Sequence, residues 1–264
     1  MSDEQLKTLP TGKPHVSFSE VSTWVGCSYR HKLQQIDKVP VVEEPSPFPE
    51  YGTACHAVTE HYINTKELDI SIATDHIREV WKRDNLDDVD GWCKQAEESL
   101  VDVPAFMDAT FPGWEAIEAE HQLYEKIDDL PHAFKGYIDA IITVPAKGEK
   151  KKYWILDWKT SSWGWNRMKR DDKTVQSQII LYKNFWCKKT GVNPRDVSCG
   201  FILLKRAAKP GAHCELIKVS AGPVATERSL KVVNNMVKTV KKGIAIKNRF
   251  SCEYCEFKDT EHCT

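Results

Sequence analysis

Apolar residues recur at helical intervals through the N-terminal part of the chain and switch to short strand-like runs after it. In "SFSEVSTWVGCSYRHKL", Val21, Trp24, Val25 and Leu33 fall at helical intervals, and Ser17 and Glu20 stand at capping-box spacing, so the pattern predicts a helix over 18–36. "EYGTACHAVTEHYINTK" predicts a second helix, with Tyr51, Cys55, Val58 and Tyr62 on one stripe and His56 and Glu60, four apart, on a neighbouring one. Further helical segments fall at about 71–84 and 93–110. Between the first two helices, the prolines of "VPVVEEPSPFPE", 39–50, cannot continue a helix and favour an extended connector.

The period then changes. "WEAIEAEHQLYEKI", "FKGYIDAIITV" and "KYWILDWKT" are rich in β-branched and aromatic residues and read as three consecutive strands. "KGEKKKY", 147–153, lies between two of them as a solvated hairpin tip. "TVQSQIILYKNFWCKKTG" has helical length and ends at Gly191, a C-cap. "VSCGFILLKR" and "HCELIKVS" restore strand character, and the proline opening "PVATERSLKVVNNMVKTVKKGI" suits a helix's first turn. This order predicts an α/β fold, a mixed central sheet flanked by helices.

Composition narrows the picture. The 264 residues suit one large domain with an appended cysteine-rich end. Lys plus Arg number 37 against 38 Asp plus Glu, so any surface for nucleic acid must be a local patch. The N-terminus lacks the apolar core of a signal peptide and no apolar run reaches a membrane span, which makes a cytoplasmic protein the expectation. Disulfides rarely persist there, so those of the nine cysteines with ligand-like spacing are expected to bind metal.

Candidate chemistry centres on "ILDWKT". Strand alternation puts Asp157 and Lys159 on one face, their backbones about 7 Å apart, with Trp158 on the other. The neighbouring strand "GYIDAII" carries Asp139, and pairing of the strands can bring the two carboxylates together. Two aspartates converging among apolar residues are costly without a cation, and Mg²⁺ or Mn²⁺ with oxygen ligands is the natural one. Metal-assisted phosphodiester hydrolysis suits such a set. An isolated Asp-x-Lys is commonplace and alone reads as a strand-end ion pair. The chain has no His-Glu-x-x-His helix and no phosphate-cradling Gly-x-x-x-x-Gly-Lys-Ser/Thr loop, which excludes a zinc-protease helix and an ATP-driven motor.

The ordered set of these segments resembles the PD-(D/E)XK nuclease superfamily, particularly its RecB-like exonuclease branch and the iron-sulfur CRISPR-adaptation nucleases. "YGTACH" matches the family's Gly-x-x-x-His helix segment at His56, and "GYIDA" its Gly-x-x-Asp strand at Gly136 and Asp139. "DWK" matches Asp-x-Lys at Asp157 and Lys159, and "QIILY" matches Gln-x-x-x-Tyr at Gln178 and Tyr182. The resemblance implies a restriction-endonuclease-like fold in which His56, Asp139 and Asp157 hold Mg²⁺ or Mn²⁺, with the Trp158 carbonyl as a further ligand. Glu120, in the preceding strand, is a secondary candidate, and Glu60 a weaker one. Lys159 would serve the attacking water and the charged transition state. Gln178 and Tyr182, neighbours on their helix, would position the scissile strand and the lysine.

At the C-terminus, "SCEYCEFKDTEHCT" sets Cys252, Cys255 and Cys263 among polar residues, which favours a metal site over core packing. His262 can complete a zinc site, or Cys27 can supply a fourth thiolate from the first helix. The resemblance favours the second arrangement around a 4Fe-4S cluster, because its iron-sulfur members place one cysteine before the nuclease motifs and three after them. Cys55, Cys93, Cys187, Cys199 and Cys214 read as buried small hydrophobes. The implied organisation is an N-terminal tail over 1–16, a nuclease domain over 17–250 with a helical insertion at about 67–112, and a cluster-binding tail over 251–264.

"SSWGWNRMKRDDK", 161–173, combines Trp163, Trp165, Arg167, Lys169 and Arg170. Aromatic faces that stack on unpaired bases beside cations that hold phosphates make these DNA-contact candidates, although tryptophans packed on the domain are an equal reading. The expectation is a metal-dependent DNA exonuclease acting on a single strand or duplex end, 5′ to 3′, in recombination, repair or DNA processing. The alternatives are a structure-specific endonuclease or CRISPR-like end trimmer, and a non-catalytic DNA-binding subunit. Besides DNA, a separate helicase, recombinase or single-strand-binding protein is an expected partner, and a membrane is not.

Overall fold

The computed structural model describes residues 6–41, 44–148 and 150–263. Six strands form one mixed sheet. β1 (His15–Ser17) is followed by α1 (Phe18–Gly26), α2 (Ser28–His31) with a π turn over Lys32–Ile36, α3 (Pro47–Thr65), α4 (Ser71–Asp84), α5 (Val89–Leu100) and α6 (Val103–Thr110). The three central strands β2 (Glu115–Lys126), β3 (Ala133–Pro145) and β4 (Lys151–Ser161) lead to α7 (Arg167–Asp171) and α8 (Lys173–Thr190). β5 (Val197–Lys205), β6 (Cys214–Val219) and α9 (Pro223–Lys241) complete the fold before the tail.

The pairing along β3 shapes the centre of the molecule. β2 runs antiparallel along one edge of β3, from Ala133 to Thr143. The other edge is shared: β1 pairs parallel with residues 133–135 and β4 antiparallel with residues 140–145. Between them, residues 136–139 have no strand partner on that edge. Beyond Leu156, β4 leaves β3 and continues beside parallel β5, with Asp157 opposite Phe201 and Lys159 opposite Leu203. β6 closes the sheet antiparallel to β5.

Alternation along the strands feeds two cores. Phe134, Ile138, Ile155 and Phe201 pack with Val21 of α1, Ile179 and Phe185 of α8, and Val233 of α9. Leu156, Trp158 and Ile202 face the opposite layer, where Tyr51, Val58, Ile77, Trp81 and Leu100 come from α3, α4 and α5. Both faces of the sheet are therefore covered, as the α/β pattern requires.

Several local expectations are corrected. The helix expected over 18–36 begins with the expected Ser17–Glu20 capping box but breaks at Cys27, whose backbone is extended (φ −157°, ψ 109°). The Cys27 sulfur accepts the Arg30 N–H and caps the next turn, which competes with an unbroken helix. The connector stops short of residue 50, because α3 starts at Pro47, where a missing N–H costs nothing in a first turn. The segment 93–110 is two helices, split ahead of Pro104. The stretch before residue 17, read as a tail, contributes β1 and the buried Leu9, and α7 interrupts the 161–173 loop. The 147–153 tip includes Glu149, which lies outside the described residues.

Candidate active site

The site forms where β3 and β4 part. Asp139 is the last β3 residue before pairing with β4 resumes, and its Oδ2 accepts the Trp158 N–H at 2.7 Å, replacing the missing ladder bond. Asp157, only 1% exposed, and Lys159 follow on the α8 side of β4, while Trp158 is buried toward α3. Gln178 on α8 donates its amide to Asp157 Oδ1 at 2.9 Å and approaches the Tyr182 hydroxyl at 3.4 Å. Tyr182 packs over Gly136, where no side chain would fit: a Cβ there would lie 2.6 Å from the tyrosine ring.

His56 arrives from α3, whose apolar stripe of Cys55, Val58 and Tyr62 is buried. Its Nδ1 lies 3.3 Å from Asp139 Oδ2. Glu120 arrives from β2, flanked by the pairs Ala119–Ala140 and His121–Ile138, which puts it across from Asp139. Ligand atoms of His56, Glu120 and Asp139 all lie within 4.8 Å of one another. Glu120 adopts φ +49°, a left-handed conformation rare for a side chain other than glycine or asparagine.

The electrostatics are unbalanced. Burial, reinforced by the Asp157 charge, raises the Asp139 carboxyl well above the ordinary aspartate value. Burial and the Glu60 charge raise Glu120 in the same way. Burial lowers His56 and keeps the imidazole neutral near pH 7, against the charge of Asp157. Burial works against the Lys159 ammonium, but the charges of Asp157 and Asp139 outweigh it and hold the lysine above its usual value. Lys159 Nζ is 2.7 Å from Asp157 Oδ2, an ion pair that engages this oxygen.

This donor set fits a divalent cation. Two carboxyls whose ionised forms are disfavoured and a neutral imidazole, their ligand atoms within 4.8 Å of one another, are oxygen and nitrogen donors suited to Mg²⁺ or Mn²⁺. The structure brings His56, Asp139, Asp157, Lys159, Gln178 and Tyr182 together. Glu120, a secondary candidate by sequence, moves into the closest trio; the signal was its register opposite Asp139.

The loop candidates divide. Trp163 is 80% exposed and Arg167 and Lys169 also face solvent. Trp165 is 6% exposed and packs on Phe201 at 5.1 Å between ring centres, a correction to its reading as a base platform. Arg170 is likewise corrected: it donates to the Trp165 carbonyl and pairs with Glu215 at 2.7 Å, which fastens the loop to β6.

The two chain ends meet as expected. Arg30 pairs with Glu256 at 2.6 Å and the Tyr29 hydroxyl donates to the His262 carbonyl. Cys27, Cys252, Cys255 and Cys263 line one cavity of about 160 Å³. Cys27 Sγ also accepts the Asn248 N–H. Among the described residues no three of these sulfurs lie within 4.8 Å of one another.

A sheet with helices on both faces and an acid, lysine and histidine set at the splayed end of one strand defines a nuclease-type α/β protein. The chain belongs to the PD-(D/E)XK nuclease superfamily, whose family model matches residues 15–260. The comparison with curated proteins gives no match. Among solved structures, the fold is similar to a "Putative exonuclease" from Eubacterium rectale, with 14% identity over 92% of this chain and 88% of that one and a TM-score of 0.55. The crystal structure of SSO0001 shares 10% identity over 92% of this chain and 83% of that one, at a TM-score of 0.42. No helix among the described residues is long and apolar enough to cross a membrane.

Proposed function

We propose that the chain is a divalent-metal-dependent DNA nuclease, an exonuclease that hydrolyses phosphodiester bonds from a single strand or duplex end, 5′ to 3′, in recombination, repair or DNA processing. The observation that carries this reading is the convergence of His56, Glu120, Asp139 and Asp157 beside Lys159 at the unpaired edge of β3. His56, Glu120, Asp139 and Asp157 would hold Mg²⁺ or Mn²⁺, with the Trp158 carbonyl available as a further ligand. When bound, the cation lowers the pKa of water and polarises the phosphoryl oxygen.

The protein groups divide the remaining work. Lys159 would position or activate the attacking water and stabilise charge on the phosphoryl oxygens. Gln178 holds Asp157 and, with Tyr182, keeps α8 against the reacting strand. Trp163, Arg167 and Lys169 offer a stacking face and two cations next to the end of β4.

The tail over 251–264, completed by Cys27, forms a cluster-binding unit attached to the nuclease domain. The four cysteines line one cavity, and one cysteine before the nuclease motifs with three after them is the pattern of the family's iron-sulfur members, which supports a 4Fe-4S cluster over zinc.

Linear DNA with Mg²⁺ or Mn²⁺ tests the activity. Asp157→Ala and Lys159→Ala should each abolish degradation, and activity surviving both changes sinks the assignment. Closed single-stranded circles should stay intact; their cleavage would make the enzyme an endonuclease. Anaerobically prepared protein should contain iron and labile sulfide, and stoichiometric zinc without iron would overturn the cluster.

A further inference from the structure

The open edge of β3 does more than expose Asp139. It floors a cavity of about 660 Å³ that runs from Asp139, Asp157, Lys159, Gln178 and Tyr182 to Lys135, Tyr137, His15 and Ser19. Lys135, Tyr137 and Asp139 follow at alternate positions along one strand, so Lys135 lies about 13 Å from Asp139 by strand rise. β1 fixes the far end, with Ser17 paired to Lys135.

The charges at that end have separate tasks. Lys13 is committed to the protein, 3.0 Å from Gln35 Oε1 and 3.5 Å from the buried Glu20. Lys135 has no carboxylate partner among the described residues; its ammonium lies 5.6 Å from the centre of the Tyr137 ring. Beside it, the His15 ring lines the cavity and the Ser19 hydroxyl, 2.8 Å from that of Ser17, is exposed. A cation without a carboxylate partner, an imidazole ring and a hydroxyl in one groove continuous with the catalytic groups suit a phosphodiester.

We infer that Lys135, with His15 and Ser19, is a backbone-phosphate subsite that holds the substrate strand on the β1 side of the scissile bond, so that the strand lies in the gap between β1 and β4. This rests on the nuclease reading. Because it uses phosphate contacts alone, it makes binding tolerant of base sequence and sensitive to salt.

The test is anisotropy of a fluorescent single-stranded oligonucleotide in EDTA, where hydrolysis is silent, alongside steady-state kinetics with Mn²⁺. Lys135→Ala should weaken binding about tenfold, as loss of one charge-assisted contact does, and reduce the salt slope by about one. His15→Ala should weaken it less, and KM should rise more than kcat falls in both. Lys82→Ala, an exposed lysine on α4 outside the groove lining, controls for net charge and should leave binding unchanged. Wild-type affinity in Lys135→Ala, or a loss equal to that of Lys82→Ala, overturns the subsite. A wild-type protein that binds DNA through Lys135 but cuts none refutes the nuclease reading and leaves the subsite standing.

Discussion

Gly136→Ala changes one atom at the floor of the site, and its consequences can be worked from the packing. The new Cβ would meet Tyr182 Cε1 at 2.6 Å and Cζ at 3.3 Å, with Phe134 Cε1 at 3.4 Å. Tyr182 is 6% exposed and leans on Phe134, which stacks on Phe185 with ring centres 4.7 Å apart, so the tyrosine cannot simply swing aside. Overpacking of this kind costs about 1–3 kcal/mol. For a chain of this size that is a fall of about 2–12 °C in Tm. Because Tyr182 and Gln178 are in contact and Gln178 holds Asp157, nuclease activity should fall by more than the lost folded fraction explains. Differential scanning calorimetry with activity on linear DNA measures both effects. The decisive comparison is the double variant Gly136→Ala with Tyr182→Ala: removing the ring removes the clash, so its destabilisation should be smaller than the sum of the single changes. Strict additivity, or a Gly136→Ala protein with wild-type Tm, would refute the close-approach argument.

The tryptophans of the loop should separate cleanly: Trp163→Ala should leave Tm nearly unchanged and weaken single-strand binding by about 1–3 kcal/mol, whereas Trp165→Ala should destabilise the fold by about 3–5 kcal/mol. Equal effects of both changes on Tm would contradict the division. In metal-free protein, Asp139 and Glu120 have raised values, so their contribution to stability is full below their unfolded values near pH 4 and is lost as pH rises through the folded ones. Tm should therefore fall as pH rises above the unfolded carboxyl values, Asp139→Asn should flatten the fall, and Mn²⁺ should raise Tm more at the higher pH; an Mn²⁺ shift independent of pH would contradict this. Cys27→Ala removes the acceptor for the Arg30 and Asn248 N–H groups and should loosen the terminal unit, read as faster proteolysis within residues 246–263 than in wild type.

The parts of the site that the sequence made legible are those governed by local period. Asp157 and Lys159 share a face because strands alternate, and Gln178 and Tyr182 adjoin because they are four apart on a helix. What escaped depends on long-range pairing or on single backbone angles. The three-residue β1 is too short to show a period, yet its place beside residues 133–135 creates the gap in which the site lies. Glu120 ranks with the main ligands because of its register across β3 and its φ of +49°, neither of which composition reveals. Trp163 and Trp165 look equivalent in a loop; Gly164 between them takes a φ of +100°, and one ring is exposed while the other packs on Phe201.

The distinction between this constellation and an ordinary buried ion network lies in its charge balance. Elsewhere a buried carboxylate is matched: Glu20 is held by the Ser17 N–H and Lys13. At the β3–β4 parting, Asp139, Asp157 and Glu120 face a neutral His56 and the Lys159 cation, so full ionisation of these groups would leave an excess of two negative charges. Without a cation the protein meets that excess by favouring protons on Asp139 and Glu120. Burying these carboxyls costs stability that apolar replacements would recover, whereas the φ of +49° at Glu120 is a backbone cost that any side chain would carry. A single dication cancels the excess charge, which is why the arrangement makes physical sense as a catalytic metal site and poor sense as a structural one.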